Sequence, residues 1–151
     1  SGIARRLCVE GGEPDDRAFN ITIFMGFYLA CGIAGAMVQF AWNPIETIGL
    51  VGASGAISGL MAGTLRFALR LFVPQGSEYG PLAPLTAKPL ALASIVYIGL
   101  NLATGVAGAM GVESAKIIAW QAHVGGYVFG LIAFPLFDRL AKRPPLPFGF
   151  R

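Results

Sequence analysis

The sequence predicts an all-α membrane protein, a polytopic bundle of helices that cross the bilayer. Of its 151 residues, 55% are hydrophobic and 13% are charged, whereas soluble domains carry about 25% charged residues. The apolar residues form long blocks of the length that a bilayer-crossing helix needs. The basic residues lie at the ends of these blocks rather than in one patch, which indicates contact with lipid headgroups and excludes nucleic acid as a partner.

Four blocks are long enough to be transmembrane spans, since about 20 apolar residues cross a bilayer as a helix. They lie at roughly residues 21–40, 48–65, 90–110 and 117–137. A connector rich in proline and glycine follows the second span, which ends at Arg66. Residues 138–151 form a basic tail, and the whole chain, 1–151, is predicted to be a single membrane domain.

The basic residues also predict how the four spans are oriented. With alternating spans, the N-terminal segment, the connector after the second span and the tail lie on one side, and they hold every Lys and Arg except Lys116. Cytoplasmic segments carry the excess of basic residues, so this side is predicted to be cytoplasmic. Trp42 and Trp120 then lie near the outer boundary, where indole rings favour the headgroup region.

Ser54 and His123 are the candidate catalytic residues, and the sequence places them at the same depth. Ser54 lies seven residues after Thr47, at the start of the second span, and His123 lies seven residues after Lys116, at the start of the fourth. Both spans run from outside to inside. At 1.5 Å of rise per residue, each side chain is about 10 Å below the outer surface.

Small residues predict that these two spans also approach each other laterally. They recur at every fourth position, as Gly55, Gly59 and Gly63 in the second span and as Ala122, Gly126 and Gly130 in the fourth. Stripes of this kind let membrane helices pack closely. Ser54 immediately precedes Gly55, and His123 immediately follows Ala122. If the two stripes face each other, the hydroxyl can meet the imidazole, which can act as its base.

Each feature also has a simpler interpretation. Glycines around Ser54 are typical of a helix-packing seam, and a single membrane histidine can be a buried, hydrogen-bonded residue. Ionisable groups inside a bilayer are costly and usually functional, so the two residues at one depth favour a catalytic pair. Of the other polar residues in the spans, Asn101 is predicted to make an interhelical hydrogen bond and Gln39 to be an interface residue.

No metal or cofactor site is predicted. The two cysteines, Cys8 and Cys31, lie in a polar segment and an apolar block, and their spacing indicates neither a disulfide nor a zinc site. The chain has one histidine, which excludes a histidine-rich metal site.

Two motifs resemble those of the rhomboid family of intramembrane serine proteases. The first is GASGAISG at residues 52–59, which contains Gly-x-Ser-Gly, and the second is AHVGGYVFG at residues 122–130. They occur in the family's order, and FYLACGIAGAMVQ at residues 27–39 looks like the family's third core helix. The resemblance extends over roughly residues 10–137.

The resemblance implies the roles of these residues. Ser54 would be the nucleophile and His123 the general base, with Gly52, Ala53 and Gly55 forming the motif around the nucleophile and the oxyanion. The substrates would be transmembrane proteins, cut in or near the bilayer through an acyl-enzyme. The protein would then lie in a bacterial inner membrane, with its active site open to the outer side.

Two departures from the family pattern are evident. The family has six core helices, and the two without a counterpart would precede Ser1; one of them supplies a His and an Asn that hold the oxyanion. Residues 1–151 alone are therefore expected to be inactive. The family also often carries an aromatic residue four positions after the nucleophile, where this chain has Ser58, and Tyr127 is a candidate substitute.

Two other function classes compete with the protease. A non-catalytic rhomboid-like protein would bind and escort membrane helices, but such relatives typically lose the serine or the histidine, and both are present here. A transporter or channel fragment would show more polar lining residues and inverted repeats, which the sequence lacks.

Overall fold

The computed structural model describes residues 14–44, 51–69 and 82–141, and this part of the chain is helical with no strand. The described helices are α1, Pro14–Trp42; α2, Val51–Ala68; α3, Lys88–Ala109; α4, Glu113–Lys116; and α5, Trp120–Leu140. The four long helices occur in the order of the four predicted spans, so the all-α fold class is confirmed for the described residues.

The helices differ in length from the predicted spans, as a helix can extend beyond its membrane-crossing part. α1 is described from Pro14 to Trp42 and contains the whole predicted span of residues 21–40. α5 begins at Trp120, after the turn of residues 117–119, and continues to Leu140, so the first residues of the predicted tail are helical. Residues 48–50 and the rest of the tail from 142 lie outside the described residues.

Two segments of the described helices are long and apolar enough to cross a membrane. They are Asn20–Trp42, with a mean hydropathy of 2.0, and Lys88–Ala109, with a mean hydropathy of 1.8. α2 and α5 contain many glycines and polar residues, which lower their hydropathy. That α2 and α5 also cross the membrane, which would make four spans, stays a prediction.

The core lies among α1, α2 and α5, which make the most extensive mutual contacts. Small side chains dominate it: Cys31, Ala62 and Ala122 are fully buried, and the largest fully buried side chain is Tyr127. α3 packs on α5 and more lightly on α2. Only closely approaching helices can bury such small residues, so the core depends on tight backbone contact rather than on large apolar side chains.

Large apolar side chains lie on the outside of the bundle. Met37 of α1, Ile95 of α3 and Ile132 of α5 are 65–68% exposed. Soluble monomers rarely expose extended apolar surfaces of this kind. The arrangement, with small residues inside and large apolar residues outside, suits a bundle that is surrounded by lipid.

The turn from α3 to α4 is closed by a glycine. Gly111 has a φ of 97°, a left-handed conformation that favours glycine. Its N–H donates to Gly108 O, and the N–H of Val112 donates to Ala107 O, which is the Schellman pattern at a helix C-terminus.

Arg66 joins three segments at the C-terminal end of α2. Its Nη1 donates a hydrogen bond of 2.6 Å to Leu131 O in α5, and its Nε donates to Ala83 O, 2.9 Å away. Pro135 lies in α5 four residues after Leu131. Because proline has no N–H, the carbonyl of Leu131 lacks its usual helical donor, and Arg66 supplies a replacement.

Candidate functional site

Three helices meet at one level of the bundle. A Cβ placed on Gly55 of α2 would lie 3.1 Å from Ala122 O of α5, and one placed on Gly35 of α1 would lie 2.6 Å from the same oxygen. Ser54 and His123 directly adjoin Gly55 and Ala122 in the chain. They therefore lie at the same level on neighbouring, closely packed helices.

The close contact continues along α2 and α5. A Cβ on Gly126 would collide with Gly55 O, and a Cβ on Gly130 would collide with Gly59 O. Gly63, the last small residue of the α2 stripe, packs against an aromatic ring of α5 instead of a glycine. We call this line of contact the small-residue seam; it comprises Gly35, Gly55, Gly59, Ala122, Gly126 and Gly130.

Ser54 is half-buried near the N-terminal end of α2. Its carbonyl oxygen accepts a hydrogen bond of 2.9 Å from Ser58 Oγ. Gly52, Ala53 and Ser54 belong to the first turn of α2 as the structure describes it, Val51–Ala68. The first N–H groups of a helix have no partner within it and carry its positive partial charge.

His123 is half-buried, and its ring is held from α3. Its Nδ1 lies 2.9 Å from Asn101 Oδ1, and Asn101 Nδ2 donates a hydrogen bond of 2.9 Å to Tyr97 O. The interhelical hydrogen bond predicted for Asn101 is confirmed, and its partner is His123. Among the hydrogen bonds of the described residues, none joins His123 to Ser54.

A cluster of hydroxyl groups and aromatic rings lies next to this pair. Ser58 Oγ is 2.7 Å from Tyr97 Oη, and the ring of Tyr97 stacks on that of Tyr127 with centroids 4.4 Å apart. Tyr127 Oη in turn lies 3.0 Å from Ser94 Oγ. Tyr127 is the candidate substitute for the aromatic residue absent at position 58, and its ring stacks on Tyr97 of α3. The aromatic side chain that contacts Ser58 is that of Tyr97.

The sequence did not reveal the contacts that Ser94 and Tyr97 make beside the site, nor the group that Asn101 binds. The signal was present, because the three residues are spaced three and four apart and so share one face of α3. That face meets α2 through Ser58 and α5 through His123 and Tyr127.

A cavity of about 710 Å³ lies at the end of the bundle where α1 finishes and α5 begins. The rings of Trp42 and Trp120 line it and meet edge to face, with centroids 5.5 Å apart, so the two tryptophans share one side as predicted. Gln39 lines it too and is 5% exposed, so its side chain is buried in the bundle at the level of these tryptophans. Its Oε1 has no hydrogen-bond partner among the described residues.

Metal-binding side chains do not cluster in the described part of the chain. No group of three or more His, Cys, Asp or Glu residues comes together there. The polar groups described around Ser54 and His123 are hydroxyls, an imidazole and the Asn101 amide.

The apolar exterior, the small-residue seam and the two long apolar helices together indicate a helical integral membrane protein. A family model described as Rhomboid domain matches residues 12–139. The chain belongs to the rhomboid family, and the resemblance to this family is confirmed. Comparison with curated proteins and with solved structures finds no match. Rhomboid proteins are in general serine proteases that act on transmembrane substrates within the bilayer.

Proposed function

We propose that this protein is an intramembrane serine endopeptidase that uses Ser54 as nucleophile and His123 as general base. The observation that carries the proposal is the backbone contact of Gly55 with Ala122, because it holds the neighbouring hydroxyl and imidazole at one level on adjacent helices. Membership of the rhomboid family supports the same chemistry.

The acylation step follows from the groups at hand. Ser54 Oγ attacks the carbonyl carbon of the scissile peptide bond while His123 Nε2 takes the hydroxyl proton. The tetrahedral intermediate collapses with cleavage of the C–N bond, and the imidazolium returns its proton to the departing amine. The products are the released amine end of the substrate and an ester on Ser54.

The N-terminal end of α2 supplies electrostatic stabilisation in this proposal. Negative charge develops on the substrate carbonyl oxygen, and N–H donors fixed in advance stabilise it more than they stabilise the ground state. The first turn of α2 contains Gly52, Ala53 and Ser54, whose N–H groups point from the positive end of the helix. Gly55 has no side chain, so α5 can pack closely against α2 beside the nucleophile.

Deacylation needs water in a site that is otherwise surrounded by apolar surface. The cavity beside Trp42 and Trp120 reaches Gln121, two residues before His123, and the unpartnered Oε1 of Gln39 offers an acceptor to water. A water molecule deprotonated by His123 attacks the ester carbonyl, and the proton taken from it goes to Ser54 Oγ as the serine leaves.

The alternative function is a non-catalytic one, in which the protein binds and escorts membrane helices. The absence of a Ser54–His123 hydrogen bond among the described residues is the observation in its favour. The presence of both residues beside the small-residue seam favours the protease, because an escort protein needs neither a hydroxyl nor an imidazole there.

The proposed orientation in the membrane follows from the distribution of basic residues. The side that carries most of them, including the connector after α2, is cytoplasmic, and the active site opens to the outer side. A location in the bacterial inner membrane is part of the proposal and derives from the family resemblance alone.

Proteolysis in liposomes tests the proposal. The protein, expressed from its complete gene, is reconstituted with a single-span substrate, and the products are identified by mass spectrometry. Ser54→Ala and His123→Ala are expected to abolish cleavage, since loss of either member of a Ser–His pair can lower the rate by about 10⁶. Ser58→Ala is the matched control and is expected to retain activity. Substrate that is bound but never cut by the wild type would favour the escort function instead.

A further inference from the structure

We propose that Asn101 is a positioning residue for His123, which selects the imidazole tautomer that can act as a base. Its side-chain carbonyl accepts a hydrogen bond from Nδ1–H and leaves Nε2 as the nitrogen with the free lone pair. The inference rests on the proposed function, in which His123 takes the proton of Ser54.

The orientation of the Asn101 amide is fixed by its own helix. Nδ2 lies 2.9 Å from Tyr97 O, and a backbone carbonyl can only accept a hydrogen bond. Reversing the amide would set its oxygen against this carbonyl oxygen, with no proton between them. The NH₂ group therefore faces Tyr97, and Oδ1 faces His123.

The tautomer of His123 follows from this orientation. Oδ1 has no proton to give, so the contact of 2.9 Å with Nδ1 is a hydrogen bond only when Nδ1 carries the proton. A neutral imidazole has one protonated nitrogen, which leaves Nε2 unprotonated. In the other tautomer two lone pairs would face each other.

Burial of Asn101 strengthens the preference for this tautomer of His123. Asn101 is 9% exposed in a helix whose other faces carry exposed leucine and isoleucine, so water does not replace a lost partner easily. A buried amide in such surroundings is unfavourable unless its polar atoms are paired. Both ends are paired here, one with the backbone of α3 and one with His123.

The position of Asn101 is itself held by neighbouring helices. Tyr97, whose carbonyl anchors the amide, contacts Ser58 of α2 through its hydroxyl and Tyr127 of α5 through its ring. The face of α3 that carries Asn101 is thus fixed against both helices of the proposed dyad. A third group that orients the base in this way is the general requirement of an activated serine.

The variants separate a positioning role from a packing role. Asn101→Leu keeps the volume and removes the acceptor, whereas Asn101→Asp, with its carboxyl group neutral, keeps an acceptor oxygen toward His123 and an O–H donor toward Tyr97 O. Ser94→Ala is the matched control, because Ser94 is on the same face of α3 and bonds to Tyr127 rather than to His123.

The first measurement is ¹⁵N NMR of histidine-labelled protein in micelles, with the His123 signals assigned by comparison with His123→Ala. Wild type, Ser94→Ala and Asn101→Asp are expected to show a protonated Nδ1 and an unprotonated Nε2. Asn101→Leu is expected to lose this preference. A wild-type protein protonated at Nε2, or an unchanged tautomer in Asn101→Leu, would overturn the inference.

The second measurement is steady-state proteolysis. Asn101→Leu is expected to lower kcat about 10- to 100-fold, with KM changed less than about twofold, because an orienting partner acts on the base and not on substrate binding. Asn101→Asp should recover part of the loss, and Ser94→Ala should retain kcat. A KM effect alone would contradict the positioning role.

The two measurements distinguish failure of this inference from failure of the proposed function. The NMR result needs no enzymatic activity, so it tests the Asn101–His123 relationship by itself. Lack of Ser54-dependent cleavage by the wild type would overturn the proposed function, whatever the tautomer.

Discussion

Arg66 Nη1 donates a hydrogen bond of 2.6 Å to the carbonyl oxygen of Leu131, on the opposite helix of the core. That carbonyl would accept from residue 135 in an uninterrupted helix, and residue 135 is a proline. The guanidinium therefore compensates for the proline, and this pairing stabilises the end of the bundle that lies away from Ser54.

Replacing Arg66 with methionine is expected to lower the free energy of unfolding by about 2 kcal/mol, the usual value for losing a hydrogen bond to a charged group. The substitution keeps most of the aliphatic side chain and removes its donors. Denaturant unfolding in mixed micelles measures the change.

Pro135→Ala provides the control for this pairing. Alanine restores an N–H to Leu131 O, so the loss caused by Arg66→Met should be smaller in that background, by roughly 1 kcal/mol. Equal losses in both backgrounds would show that the two residues are not coupled. Lys116→Met, which breaks the exposed pair with Glu113, should cost less than about 1 kcal/mol.

The small-residue seam gives a second prediction. Gly126→Ala adds a methyl group where the carbonyl of Gly55 lies, so α2 and α5 must separate beside the candidate catalytic residues. We expect a loss of about 1–3 kcal/mol in stability, typical of overpacking, together with loss of proteolysis.

Gly99→Ala is the matched control for the seam. A Cβ at Gly99 of α3 would meet nothing within 4 Å, and alanine is the better helix former by up to about 1 kcal/mol. The variant should therefore be as stable as the wild type or slightly more so. If Gly126→Ala behaved like Gly99→Ala, the close contact between α2 and α5 would be wrong.

A third prediction concerns orientation in the membrane. Single cysteines at Ser114 and Thr86, both exposed, are introduced into a variant that lacks Cys8 and Cys31. An impermeant thiol reagent added to intact cells should label position 114 and leave position 86 unlabelled. The reverse pattern would contradict the outward-facing active site.

The sequence predicted the positions of the four long helices because their apolar blocks are continuous and are bounded by charged or turn residues. It also predicted that two stripes of small residues would lie on α2 and α5, since spacing by four marks one helical face. In the structure these stripes meet at Gly55 and Ala122.

The rotation of α3 about its axis could not be predicted in the same way. Apolar residues surround this helix on nearly every side, so hydropathy does not identify the face that meets the core. The partner of Asn101 therefore became apparent only in three dimensions. The link between Arg66 and Leu131 was hidden for a different reason, because it joins residues 65 positions apart in the chain.

The most direct test of the Ser54–His123 assignment is labelling by a fluorophosphonate probe, which forms a covalent bond with an activated serine. The protein, expressed from its complete gene, is treated in detergent, and the modified peptide is identified by mass spectrometry. The account predicts modification of Ser54, none in Ser54→Ala, strong reduction in His123→Ala and retention in Ser58→Ala. Equal labelling of wild type and Ser54→Ala would contradict it.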